Sequence, residues 1–205
     1  MNTKKVALFD FDETLVHENS LSYLFKYLLG RKPLFFYLFA LFWDLRVYRG
    51  QLRSLIKHRL YKKSLEGRDA EQVYQAGLVS AAKLSQIKEV VQQMHDLHEK
   101  GVEVWIITAS PQPFIEGIVA QLKWPVARVI GTLLESEKGK LTGEIGPECQ
   151  LEEKVRRFNM TIEEDALDYC VEASYGNLPV DIPMLNLAQH KFFVENGKLD
   201  PFVGN

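Results

Sequence analysis

The sequence predicts an α/β fold: a parallel sheet with helices on both faces and a helical insert after the first strand. Three observations predict it. Short runs rich in strand formers, at Val6–Phe9, Val102–Thr108, Tyr169–Ser174 and Lys191–Glu195, alternate with segments whose apolar residues recur at helical spacing. The first run stops at two acids, Asp10 and Asp12, with the hydroxyl of Thr14 two residues further on. Open α/β sheets bind ligands beyond the carboxyl ends of their strands, so charge at this strand end marks a candidate site. The interval from Asp12 to the second strand is about three times the ~30 residues of a plain crossover unit.

The elements follow in order. The first strand, at about 4–10, leads into the acidic turn. Alternate side chains of an extended segment face the same way, so Asp10 and Asp12 can share a face. Two carboxylates that close repel unless a cation sits between them or one holds a proton. Residues 18–84 carry no clear strand. Leu21, Leu24, Phe25 and Leu28 recur at helical spacing, and Gly30 and Pro33 break that helix. A second break is expected near Gly67.

Ser85 opens an expected amphipathic helix with Ile87, Val90, Val91, Met94 and Leu97 on one face and Gly101 at its end. Val102–Thr108 is the second strand. Ser110 then reads as an N-cap with Pro111 at the first helical position, in a helix running to about Leu122. Val126–Leu134 and Leu141–Glu144 are expected strands joined by the turn Glu137-Lys138-Gly139-Lys140. A helix from about Leu151 to Phe158 carries Lys154. The strand Tyr169–Ser174, a helix through Met184, Leu185 and Leu187, and the strand Lys191–Glu195 complete the chain.

The bulk numbers bound the answer. A chain of 205 residues, 46% apolar, suits one α/β core plus a small accessory domain and excludes a disordered chain. A net charge of −2 gives no reason to expect a nucleic-acid partner. Cys149 and Cys170 show no metal-type spacing, and so few cysteines suit a reduced, cytoplasmic protein. No secretory signal is expected where a strand starts at about residue 4. No apolar stretch reaches the roughly 18 residues of a spanning helix. The five histidines show no ligand spacing; His95 and His98 lie on a helix rim.

Four stretches, in order, resemble the motifs of the haloacid dehalogenase-like phosphatases: Asp10-Phe11-Asp12-Glu13-Thr14, Val104-Trp105-Ile106-Ile107-Thr108, Lys154, and Gly176-Asn177-Leu178-Pro179-Val180-Asp181. The resemblance is to the branch that contains phosphoserine phosphatase. It implies a Rossmann-like core, at 1–17 and 85–205, and a helical cap at 18–84 that covers the site and helps choose the substrate.

The resemblance also implies roles. Asp10 would be the nucleophile, giving an aspartyl-phosphate that water hydrolyses. Asp12 would protonate the leaving oxygen and then deprotonate the water. Thr108 would donate its hydroxyl to a phosphate oxygen, with Ala109 beside it at a helix start, where free N–H groups favour anions. Pro111 and Pro113 have no N–H to add. The family pattern Cys-x-x-x-x-Lys, counted from Cys149, selects Lys154 over Arg156 and Arg157 as the cation that neutralises nucleophile and phosphate. Mg²⁺ would be the cofactor, held by Asp10, the Asp12 main-chain carbonyl, Asn177 and Asp181. Asn177 departs from the family, which has Asp there; a neutral carbonyl oxygen weakens the site. Glu13 stands where many members have Gly and is expected to face away from the metal.

Two function classes stay open on the sequence: a Mg²⁺-dependent phosphomonoesterase, and a phosphate-binding or regulatory protein with a weakened metal site. The substrate is open too. Phosphoserine phosphatases carry a Glu nine residues after the nucleophile; here Asn19 is ninth and Glu18 precedes it. Leu34–Trp43 has ten apolar residues without a polar face, and a basic run follows, with Arg49, Arg53 and Lys57 four apart on one helical stripe. That is the pattern of a segment lying on a membrane surface, as against burial in the core or a dimer interface. Tyr27–Leu34 and Trp105–Pro113 also resemble phosphatidylglycerophosphatases of the C family. The expected partner is therefore a phosphorylated small molecule or a lipid phosphate, with peripheral contact to the cytoplasmic face of a membrane through the cap.

Overall fold

The computed structural model describes residues 3–30 and 52–203. In chain order it has β1 (Lys4–Phe9), α1 (Leu21–Leu29), α2 (Leu52–Leu65), α3 (Ala70–Ala81), α4 (Lys88–Glu99), β2 (Glu103–Pro111), α5 (Gln112–Leu122), β3 (Val126–Thr132), β4 (Leu134–Glu137), β5 (Lys140–Ile145), α6 (Glu152–Asp165), β6 (Tyr169–Gly176), α7 (Ile182–Leu185), β7 (His190–Glu195) and β8 (Lys198–Pro201). Six strands form one sheet in the order β3-β2-β1-β6-β7-β8, and β4 and β5 form a separate hairpin. From β3 to β7 all pairings in the sheet are parallel; β8 returns antiparallel along β7.

The parallel sheet follows from how its strands are buried. Val6 and Leu8 pack with Trp105, Ile107 and Phe158 in one cluster, while Ala7 and Phe9 pack with Val104, Ile106 and Met94 in another. Both faces are covered, so the central strands read as continuous apolar runs rather than alternating ones. β1 is central, with β2 on one side and β6 on the other. The strand order reverses there, and that crevice is where a doubly wound sheet binds its ligand.

The inserted helices are tied to the core at several points. α3 crosses α5 with backbone in contact: a Cβ added at Gly77 would lie 2.1 Å from the Phe114 carbonyl oxygen, and one at Gly117 would lie 2.2 Å from that of Tyr74. The hairpin is sewn to the segment after α2, where Gly67 N–H donates to Leu141 O at 2.9 Å and Leu141 N–H to Arg68 O at 2.7 Å. The aromatic segment 34–43, with Arg46 and Arg49 after it, lies outside the described residues. No described helix is long and apolar enough to cross a membrane.

Several sequence expectations shift. α4 starts at Lys88 rather than Ser85, because residues before it are held extended: Gln86 bridges to Val16 and Ile87 N–H donates to Leu15 O. α6 runs on to Asp165, well past Phe158. The strand expected over Val126–Leu134 ends at Thr132, and Leu134 opens β4. β8 was not expected; Asn196 and Gly197 both take positive φ, 51° and 77°, and form the two-residue turn that an Asn-Gly pair favours.

Candidate active site

The site is built where β1, β2 and β6 end. Asp10 follows β1 directly and its N–H donates to Tyr175 O at 2.8 Å, the last link between β1 and β6 before the chains part. The Tyr175 ring stacks on Phe9 at 4.4 Å, fixing that end of the sheet. After Asp10 the chain turns at once. Leu15 N–H donates to Phe11 O, and Glu13 sits at φ 58° with its side chain exposed. A left-handed residue in this turn explains why glycine suits the position; Glu13 holds it at some conformational cost.

Three acidic side chains and one ammonium meet here. Lys154 Nζ lies 2.6 Å from Asp10 Oδ1 and 2.6 Å from Asp181 Oδ1, with Lys154 and Asp181 almost wholly buried. Thr14 Oγ1 donates to Asp10 Oδ2 at 3.3 Å. Asp181 Oδ2 accepts the Asn177 N–H at 2.9 Å. This fold-back needs Gly176, because a Cβ there would sit 2.5 Å from that of Asp181. The Asn177 side-chain amide approaches the Asp12 carbonyl oxygen at 3.5 Å. Arg156 pairs with Glu153 at the surface and Arg157 donates to Gly131 O, so neither enters the cluster.

The electrostatics follow from burial and crowding. Asp10 is pushed up to about 7, first by burial and then by the Asp181 carboxylate, against the opposing pull of Lys154. Burial presses the Lys154 ammonium down, but Asp10 and Asp181 more than offset it and hold it above its ordinary value. Asp12 is raised by burial, with hydrogen bonds from Ser20 and Ser110 pulling the other way.

Asp12 has its own small network. Its Oδ1 accepts the Ser20 N–H at 2.7 Å, and its Oδ2 accepts the Ser110 hydroxyl at 2.9 Å. Ser110 has a single proton, so in its 3.2 Å contact with Ser20 Oγ the Ser20 hydroxyl is the donor. Ser20 occupies the N-cap position of α1 yet makes no side-chain cap bond. Its hydroxyl serves the site instead. The sequence reading missed both serine contacts with Asp12. Their only sequence sign is a cap-type serine at each of two expected helix starts.

Thr108, Ala109 and Ser110 form a break in the ladder. Ile107 pairs with Ile130 and Pro111 with Thr132, so three residues of β2 stand opposite one of β3. Such a bulge re-aims the chain and frees its N–H groups from the sheet. Thr108 is buried, and its Oγ1 accepts the Ser110 N–H at 3.2 Å, which leaves its own proton to give. The expected cap is corrected here. Pro111 is the last residue of β2 and the N-cap, and Ser110 lies outside the helix because Asp12 takes its hydroxyl. Thr132, also missed, donates to Ala109 O at 2.8 Å and accepts the Cys149 N–H at 3.1 Å, joining the bulge to the loop that leads to Lys154. Glu18 does not point into the site; its Oε2 accepts the Ser85 N–H at 2.9 Å.

The haloacid dehalogenase-like hydrolase family model matches residues 7–186, most of the chain. The chain belongs to the haloacid dehalogenase-like hydrolases. Its fold recurs in a protein of unknown function from Bordetella pertussis Tohama I, at TM-score 0.68 and 19% identity, covering 90% of this chain and 87% of that one. A phosphoserine phosphatase solved as a phospho-aspartyl intermediate analogue matches at TM-score 0.54 and 17% identity, over 91% and 84% of the two chains. Cytosolic 5'-nucleotidase IIIB bound to cytidine matches at TM-score 0.53 and 13% identity, over 85% and 65%. No curated protein matches the chain. This hydrolase is therefore an enzyme of that family whose fold is shared with phosphoserine phosphatases.

Proposed function

We propose that this hydrolase is a Mg²⁺-dependent phosphatase that cleaves a phosphate monoester through an aspartyl-phosphate on Asp10. The observation that carries the reading is the Lys154 ammonium held between Asp10 and Asp181 at the mouth of β1. In the first step an Asp10 carboxylate oxygen attacks phosphorus and the bond to the leaving oxygen breaks. Asp12 gives that oxygen its proton, so the alcohol departs neutral. In the second step water attacks the phosphorus, Asp12 takes its proton, and phosphate leaves with Asp10 restored. Lys154 and the Thr108–Ser110 bulge supply donors to the phosphoryl oxygens throughout.

The donor set fits Mg²⁺. Asp10 and Asp181 share the one ammonium of Lys154, with Asp12 next to Asp10 along the chain, so acid exceeds base in this cluster and a cation would be favoured. The available atoms are all oxygens: the carboxylates of Asp10 and Asp181, the Asp12 carbonyl and the Asn177 amide. A hard cation that keeps several waters suits such a set, and these are the residues that would hold it. When bound, Mg²⁺ supplies positive charge to the phosphoryl oxygens. The test is a radiolabelled or mass-shifted phospho-enzyme. Wild type should form one with an aryl phosphate and Mg²⁺, and Asp10→Asn should form none. A phosphorylated Asp10→Asn protein would remove Asp10 from the nucleophile's role.

We further propose that residues 18–84 act as a cap and that the phosphate is carried on a lipid or similar amphiphile. The apolar run 34–43 and the basic residues after it support a membrane-surface contact. Glu18, the acid beside the expected position, is bonded to the Ser85 N–H instead, which supports a substrate other than an amino-acid phosphate. The second reading is a soluble small-molecule phosphatase. It is favoured by Lys57, whose charge is paired with Glu148 rather than free for a lipid surface. Phe39→Glu with Trp43→Glu should abolish binding to anionic vesicles and spare hydrolysis of a soluble aryl phosphate. Absence of wild-type vesicle binding at low salt, together with no lipid-phosphate turnover, would leave the soluble reading.

A further inference from the structure

Thr132 ends β3 with no exposed surface, and its one hydroxyl serves two segments of the site. Its Oγ1 accepts the Cys149 N–H at 3.1 Å and gives its proton to Ala109 O at 2.8 Å. A hydroxyl has a single proton, so the Cys149 bond on the acceptor side settles where that proton points. Cys149 is held a second time, its thiol donating to Ile130 O at 3.8 Å. The end of β3 thus grips the loop before α6 at two points.

The bond to Ala109 O reaches further. That carbonyl and the Ser110 N–H belong to one trans peptide group, in which they point opposite ways. The Ser110 N–H donates to Thr108 Oγ1 at 3.2 Å. The donors therefore run one way, from the Cys149 N–H through Thr132 and the Ala109–Ser110 peptide to Thr108. A bond accepted by a peptide oxygen strengthens the N–H of the same group as a donor. The Thr108 hydroxyl meets that N–H with a lone pair, so its own proton turns away from the peptide. Ser110 Oγ reaches Asp12 at 2.9 Å from the same bulge, so the bulge lies against the catalytic acids. β3 packs on it closely: a Cβ at Gly131 would lie 2.8 Å from Ser110 O.

We infer that Thr132 is a positioning residue for the phosphate site: it holds the Ala109–Ser110 peptide so that the Thr108 hydroxyl presents its proton to a phosphoryl oxygen. The inference rests on the phosphatase reading, which gives Thr108 that oxygen to bond. Without the Thr132 hydroxyl, the Ala109 oxygen loses the partner that fixes the peptide. The Ser110 N–H is then free to leave Thr108, whose proton loses its direction. Thr132 lies behind the bulge and acts through Thr108.

The experiment titrates inorganic phosphate into the full chain by calorimetry, with Mg²⁺ present. It reads Kd in wild type, Thr132→Val, Thr132→Ser, Thr108→Val and the Thr108→Val, Thr132→Val double variant. Thr108→Val removes a hydrogen bond to a charged oxygen and should raise Kd at least about tenfold. Thr132→Val keeps the shape and removes the hydroxyl; Kd should rise about three- to tenfold, and Thr132→Ser should bring it within about twofold of wild type. The double variant should stay within about twofold of Thr108→Val, because residues that act through one proton are not additive. An unchanged Kd in either single valine variant overturns the inference. So do losses that multiply in the double variant, and so does a Thr132→Ser protein as weak as Thr132→Val. Where a valine variant does not fold, its alanine counterpart is read in its place; a position that tolerates neither serves the fold, and that overturns the inference too. A wild type that binds phosphate but hydrolyses no p-nitrophenyl phosphate overturns the phosphatase reading alone, and the Kd comparison still decides Thr132. A wild type that does neither overturns both.

Discussion

Lys154 and Asp10 meet at 2.6 Å with side-chain exposures of only 2% and 9%, and Asp181 stands at the same distance on the other side of the ammonium. Such a pair brings little net stability, because desolvation offsets the attraction, but removing one partner leaves buried charge without compensation. Lys154→Met should therefore cost about 3–5 kcal/mol at pH 8 and abolish phospho-enzyme formation. At pH 5 the loss should shrink, because Asp10 can then take up a proton. Thermal unfolding at the two pH values checks this; an equal loss at both would mean that the carboxylates are solvated rather than buried.

The raised pKa of Asp10 gives a second expectation. Its value moves from 3.8 to about 7 on folding. Between those values the native state binds more protons than the unfolded chain, so stability falls as pH rises through the window. The metal-free protein should be more stable at pH 5 than at pH 8, by on the order of a few kcal/mol from this group. The raised Lys154 does not titrate there and leaves the sign unchanged. Mg²⁺ binds the deprotonated carboxylates, so it should raise Tm more at pH 8 than at pH 5. Asp10→Asn should remove most of the slope. Scanning calorimetry of wild type and variant, with EDTA and with Mg²⁺, measures each of these.

Much of this was legible in the sequence, and the parts that were not have physical reasons. β1 ending beside Asp10 could be read because burial on both faces writes a continuous apolar run with charge at its end, and Lys154 was singled out by its spacing from Cys149 in the family pattern. The turn at Lys138-Gly139 was legible from its residues, and the similar turn at Asn196-Gly197 was passed over although it carries the stronger signal. The serine contacts with Asp12 were not legible. Ser110 stands where a helix cap is expected and Ser20 directly precedes a helical pattern, and nothing local shows either turned toward an acid brought up from eight or 98 residues away. The bulge at Thr108–Ser110 was hidden for a related reason: Pro111 suits a helix start as well as it suits the end of a strand.

Asn177 gives the third expectation. Its amide lies against the Asp12 carbonyl oxygen, and its main chain holds Asp181. Asn177→Asp would add a negative charge to a cluster already in excess. Without metal its Tm should fall at pH 8, and with metal it should bind Mg²⁺ at least about tenfold more tightly, since hard-cation affinity follows ligand charge. Titration calorimetry of both proteins decides it. Equal Mg²⁺ affinity would place the residue 177 side chain outside the metal's coordination.

The last expectation concerns Ser110, whose hydroxyl is the side-chain donor to Asp12 Oδ2 at 2.9 Å. That bond favours the charged carboxylate, against the burial that raises Asp12. Ser110→Ala removes it and leaves the Ser20 N–H bond to the other oxygen. Asp12 should then titrate at a higher pH. The two chemical steps need opposite forms of Asp12: protonated to release the alcohol, ionised to take the proton of water. At a fixed pH near neutrality the variant should hold up the first step and slow the second, so phospho-enzyme accumulates. A hydrogen bond to a charged group is worth about 1.5–3 kcal/mol, so turnover on the acid side of the pH profile should fall at least about tenfold, recovering as pH rises. Quench-flow measurement of the phospho-enzyme between pH 6 and pH 9 would read this directly. A uniform fall in both steps, with no shift of the profile, would mean that Ser110 only shapes the loop and leaves the proton on Asp12 unaffected.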